Sequence, residues 1–290
     1  MKNTILALLL LLGSKAVHQI ESVSIKKYNQ KHSGGGLIFT SLVSLFSMLF
    51  FLVTDKGGLH FPKEMLLYAV PAGICYFTAS YLTFVAYECG SFVMTGLFLS
   101  YNLLFSIGYG LFILKDPATP LTYAGLVLIL LSIFLVRNDK KESKSVQISA
   151  KWVVCMTLSV IGCGMLGVLM KMQQLKFDQV DNEFMIVTLG VSAFTLFVLG
   201  LIKDRGNLGR TFIKGAPYAT LAGLSNGATN LLNLTVIRLI PLSISAPSSA
   251  GIGILFSFLL ALFLFKERLS GRQLVGVAIG TVALVLLNLS

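Results

Sequence analysis

Arg137–Ala150, RNDKKESKSVQISA, is the longest polar stretch in a chain of 290 residues. On either side of it the sequence is a succession of apolar runs. Hydrophobic residues make up 55% of the chain and charged residues 12%, against about 25% charged in an ordinary soluble domain. Mean hydropathy is +0.83. Ten runs approach the length of a membrane helix, about 20 residues. They cover 4–25, 36–54, 65–87, 91–114, 119–136, 151–173, 183–202, 213–236, 242–265 and 271–288. Five precede the polar stretch and five follow it. The expected fold is an all-α membrane protein of ten transmembrane helices. It divides into a first five-helix repeat over 1–136, a polar linker over 137–150 and a second five-helix repeat over 151–290.

The two blocks match at a constant shift of 151 residues, with five identities in 26 positions between 111–136 and 262–287. Leu111-Phe112 falls on Leu262-Phe263, Lys115-Asp116 on Lys266-Glu267, Gly125 on Gly276 and Thr78 on Thr229. The order of features says more than the identities, because apolar helices match by chance. Each block ends with a helix, a Lys-acid pair, a turn with Pro or Gly, and a helix bearing Gly ten residues after the Lys. An odd number of spans per repeat makes the second copy enter the membrane from the opposite side. The repeats are then inverted, an arrangement that recurs in alternating-access transporters with the site near the midplane.

Lys and Arg sort by loop. Fifteen lie in the five alternate loops that include 26–35 and the central linker; seven lie in the other loops and the termini. The positive-inside rule then puts both termini outside and the linker in the cytoplasm. Lys2, the run Ile5–Leu12 and Ser14–Ala16 superficially fit a cleaved signal. Apolar character continues through Val17, Ile20, Val23 and Ile25, so a retained first helix is expected. It should end at the basic cluster Lys26, Lys27 and Lys31.

Net charge is +11. Its carriers are topology signals and contacts to anionic lipid headgroups rather than a nucleic-acid surface. Cys75, Cys89, Cys155 and Cys163 form no CxxC pair and no Cys/His cluster, so neither a disulfide framework nor a metal site is expected. With three histidines, His18, His32 and His60, and no HExxH, GxSxG or P-loop sequence, an enzyme is not expected. No cofactor is implied.

Polar residues inside spans usually face the bundle interior. Lys15 lies about ten residues, or 15 Å, from the nearer end of the first span, too far to reach headgroups readily. His18, Gln19 and Glu21 continue a polar strip from it. Lys15 suits a substrate carboxylate or phosphate, and His18 and Glu21 suit proton coupling; structural pairing is the competing reading. In the eighth span, Asn226, Asn230 and Asn233 recur at i, i+4, i+7 with Thr229 beside them. Their carboxamides either bind a polar solute or join helices. Tyr76, Ser80, Thr83 and Tyr87 share a face of the third span, and Asn102, Ser106 and Tyr109 a face of the fourth. These residues either line a cavity or pack, and Tyr87 and Tyr109 also suit an interfacial belt. The substrate-binding set expected is Lys15, His18, Tyr76, Ser80, Asn102, Asn226, Thr229, Asn230 and Asn233, with no metal ligand. Gly162, Gly164, Gly167, Gly251, Gly253, Gly276 and Gly280 read first as packing residues, and Pro247 as a kink.

Ten spans in two repeats, each closing with a Lys-acid pair and a Gly-bearing last helix, resemble the EamA family of the drug/metabolite transporter superfamily over about 4–288. In the first helix, where many relatives carry Trp-Gly, this chain has Leu12-Gly13 followed by Ser14-Lys15. The resemblance implies a plasma (inner) membrane transporter with a central cavity between halves. Its implied cargo is small metabolites such as amino acids, nucleosides, sugars or drugs, often moved outward. The expected function is a secondary transporter exporting a small polar, carboxylate-bearing or anionic metabolite, acting as a monomer or homodimer. The rival reading is a flippase or scramblase for a lipid-linked substrate, using the same bundle with a groove open to lipid.

Overall fold

The structure, a computed structural model, describes residues 2–32, 34–55, 57–102, 104–105, 108, 119–136, 149–177, 180–239, 249, 252–253, 255–266 and 271–288. All regular structure among them is helical. The main helices are α1 Lys2–Lys31, α2 Gly36–Thr54, α3 Leu66–Cys89, α4 Phe92–Leu99, α5 Pro120–Val136, α6 Ala150–Lys176, α7 Asp181–Lys203 and α8 Ala216–Leu239. They are followed by α9 Leu255–Phe265 and α10 Gly271–Asn288.

Helix ends follow local chemistry. Ser91 and Ser149 are N-caps whose hydroxyls accept from the N–H groups of Met94 and Trp152, at 3.4 and 3.1 Å, covering donors that a first turn leaves open. Pro120 opens α5, where a missing N–H costs nothing. Lys31, Lys176, Lys203 and Arg238 fall in last turns and Asp181 and Glu183 in a first turn, each matched to the helix dipole. Gly34 and Gly35 turn α1 into α2 with φ of 75° and 78°, the left-handed region that favours glycine. Lys266 ends α9 in the same region, φ 50°. Its partner Glu267, the Lys115-Asp116 pair and Pro247 lie outside the described residues, as does 137–148 of the linker.

Among the described residues, five stretches are long and apolar enough to cross a membrane: Leu6–Lys31, Gly36–Thr54, Lys63–Cys89, Ala150–Lys176 and Asp181–Lys203. α8 has the length, 24 residues, but its asparagines lower its hydropathy. Large apolar side chains point outward along the bundle; Leu67, Phe194, Ile202, Ile213 and Phe263 are each more than 70% exposed. An apolar surface of this extent is compatible with a protein embedded in hydrocarbon.

Six helix pairings dominate the packing: α1 with α8, α5 with α10, α3 with α6, α2 with α7, α2 with α8, and α3 with α7. Glycine permits close approach in several of them. A Cβ at Gly73 of α3 would lie 2.9 Å from the Thr188 carbonyl of α7. One at Gly223 of α8 would lie 2.7 Å from the Val43 carbonyl of α2. Two large apolar clusters result, with a small third of Ala7, Leu11 and Val236. One gathers Tyr28, Phe39, Phe84, Tyr87, Phe92 and Trp152; the other gathers Phe51, Met65, Tyr76, Met170, Phe184 and Leu189.

Two expectations change here. α1 does not end at 25 but continues through Lys31. The extra turns are fixed by tertiary partners: Lys26 Nζ donates to the carbonyls of Tyr87 and Gly90 at 3.0 and 2.6 Å, and Asn29 Nδ2 to that of Phe84 at 3.0 Å. Tyr87 is not in an interfacial belt. It is 2% exposed and stacks on Phe92 at 5.4 Å.

Candidate functional site

A cavity of about 300 Å³ lies between the two apolar clusters, walled by α1, α2, α3, α4, α6, α8 and α9. Lys15, His18, Glu21, Tyr76, Ser80, Asn102, Asn226, Thr229, Asn230 and Asn233 all line it. The structure thus brings every residue singled out above for substrate binding or proton coupling to one place. Asn102 stands in a 3₁₀ turn after α4 rather than in mid-helix; Ser106 and Tyr109 lie outside the described residues.

Asn226 is the hub of the polar wall. Its Oδ1 accepts from Tyr76 OH at 2.6 Å, Ser47 Oγ at 2.9 Å and Asn230 Nδ2 at 2.9 Å. Its Nδ2 faces both oxygens of Glu21 at 3.0 Å. Glu21 Oε2 also pairs with His18 Nδ1 at 3.1 Å. One turn and more along α8, Ser14 Oγ donates to Asn233 Oδ1 at 2.7 Å. Cavity lining and helix joining are therefore not alternatives for Asn226 and Asn233, whose carboxamides do both, while Asn230 bonds within its own helix.

Lys15 differs from its neighbours. Among the described residues it makes no hydrogen bond or ion pair, although Glu21 lines the same cavity. Leu166, its counterpart at the 151-residue shift, lines the cavity too, so equivalent positions face one space with different chemistry. Ser80 bonds only within its helix, to the Phe77 carbonyl at 3.2 Å. Thr83, on the same face, pairs with Ser159 of α6 at 2.6 Å.

Sequence reading missed part of the wall. Ser249, Gly253 and Ser257 line it from the ninth segment, and Gln19 Nε2 donates to Ser257 Oγ at 3.3 Å. Small residues recurring every four positions were the available signal. Gly167 lines the cavity, and among the described residues nothing lies within 4 Å of its Cβ position, unlike a packing glycine. Gly162, by contrast, faces the Cys75 carbonyl at 2.9 Å, as close packing requires. Gly251 lies outside the described residues.

No family model and no curated protein matches this sequence. Among solved structures, one described as "Crystal structure of protein" superposes with a TM-score of 0.65 over 98% of this chain and 98% of its own, at 13% identity. At that identity the likeness concerns the fold alone. The chain adopts, over almost its whole length, a fold already seen in a solved structure.

Proposed function

We propose that this chain is a membrane transporter of the EamA type, moving a small polar, anion-bearing metabolite by alternating access between two inverted five-helix halves. The observation that carries the reading is one cavity onto which ten polar residues from α1, α3, α8 and the turn after α4 converge. Polar groups in a membrane bundle that converge on a solvated space mark a substrate path. The packing supports the halves. Exchanging α1–α5 with α6–α10 turns the α1–α8 pair into α6–α3 and the α2–α8 pair into α7–α3, and returns α2–α7 and α5–α10 to themselves. The six dominant pairings map onto the same six.

Lys15 is the anion-binding group, the asparagine face orients the solute, and the His18–Glu21 pair carries the coupling proton. Both termini are outside the plasma (inner) membrane and the linker is cytoplasmic, as the loop charges indicate. α3, α4, α8 and α9 all contribute to the cavity wall; their lateral closure against lipid would separate this reading from a flippase. Counter-flow exchange in proteoliposomes is the test. A transporter shows saturable exchange that Lys15→Met abolishes for anions; undiminished exchange by a correctly inserted Lys15→Met protein would refute the assignment.

A further inference from the structure

We infer that the cavity selects an amphipathic organic monoanion, an ionised carboxylate on an apolar body with no balancing ammonium, over a zwitterion or a cation. The inference rests on the transport reading of the same cavity and narrows its cargo.

The argument is one of unequal satisfaction. The acid of the cavity is already engaged: both oxygens of Glu21 face Asn226 Nδ2 at 3.0 Å, and Oε2 also faces His18. Its side chain is 11% exposed. The base is not engaged by contact, because Lys15 makes no hydrogen bond or ion pair among the described residues. A glycine stands beside its stem: a Cβ at Gly253, just before α9, would lie 3.7 Å from Lys15 Cδ, so this position crowds it with no side chain. A buried ammonium with no anion in contact is costly, and an incoming carboxylate supplies a charge-assisted partner. A substrate ammonium meets a carboxylate already bonded and a lysine that repels it. Flanking the polar centre are apolar walls, Leu166 and Met170 from one cluster and Phe39 and Phe84 from the other. They suit an apolar body and give a small hydrophilic anion nothing to bury.

The test is calorimetric titration of the full chain in lipid nanodiscs with 3-phenylpropanoate, phenylalanine, phenethylamine and propanoate. 3-Phenylpropanoate is expected to bind at least about tenfold tighter than each of the others, the factor one charged hydrogen bond supplies. Lys15→Met should lose at least about tenfold of that affinity, and Lys15→Arg should keep it. Equal or tighter binding of phenylalanine, phenethylamine or propanoate overturns the inference, as does binding of none of the four. The wild-type ranking decides without any variant, so a misfolded Lys15→Met protein does not blunt it. Counter-flow with the same compounds separates the two readings. Saturable phenylalanine exchange would end the monoanion inference and keep the transporter, whereas Lys15-dependent binding without exchange would do the reverse.

Discussion

Two seams run along the cavity, α1 against α8 and α3 against α6, and they are built from different chemistry. The first is polar: Ser14, Glu21, Asn226, Thr229 and Asn233 bond across it. The second is small and close: Gly162 abuts the Cys75 carbonyl, and Ser159 bonds the Ala79 carbonyl at 3.0 Å. Both are among the most extensive contacts in the bundle. Hydrocarbon offers helices no hydrophobic drive to associate, so either hydrogen bonds or close backbone approach must hold them. This chain relies on side-chain hydrogen bonds at α1–α8 and adds close backbone approach to them at α3–α6, and Lys15 and Glu21 of the cavity lie on the α1–α8 side.

The comparison breaks most visibly at Asn226. Asn226→Leu leaves Tyr76 OH, Ser47 and Glu21 without their shared partner, at a cost of about 3 kcal/mol or more. A large fall in the melting temperature of the detergent-solubilised protein is expected, and an unchanged one would mean water replaces the hub. On the opposite seam, Gly162→Val forces α3 and α6 apart and should cost about 1–3 kcal/mol, read from the same melting curve. Ser14→Ala removes one bond to Asn233 and should cost about 0.6 kcal/mol, the average found between membrane helices. Lys15→Met should move the melting temperature least, because no protein contact is lost, while abolishing anion exchange. A destabilised Lys15→Met protein would show that the lysine is structural.

The cavity residues were legible because a helix in lipid hides its polar face. Asn226, Asn230 and Asn233, or Tyr76 and Ser80, fall at helical spacing on one side, and one-dimensional periodicity suffices to mark them. Ser47 was not legible. A lone serine in an apolar helix looks like any other, and only the approach of α2 to α8 makes it a ligand of Asn226. The end of α1 was misjudged for a related reason. A lysine cluster reads as a solvated turn until the carbonyls that Lys26 caps are seen across the bundle. Nor did spacing distinguish Gly167 from Gly162, since what lies opposite a glycine is a tertiary fact.

The Asn226 amide also has a mechanical consequence. It works as a pin through four parts, tying its own helix to α1 through Glu21, to α2 through Ser47 and to α3 through Tyr76. Three of these belong to the first half of the sequence and one to the second. Any hinge that slides α8 along α1 must shear this joint, or else carry α8 along with the first three helices as one block. If the chain transports as proposed, its rigid pieces then need not coincide with the halves of its sequence.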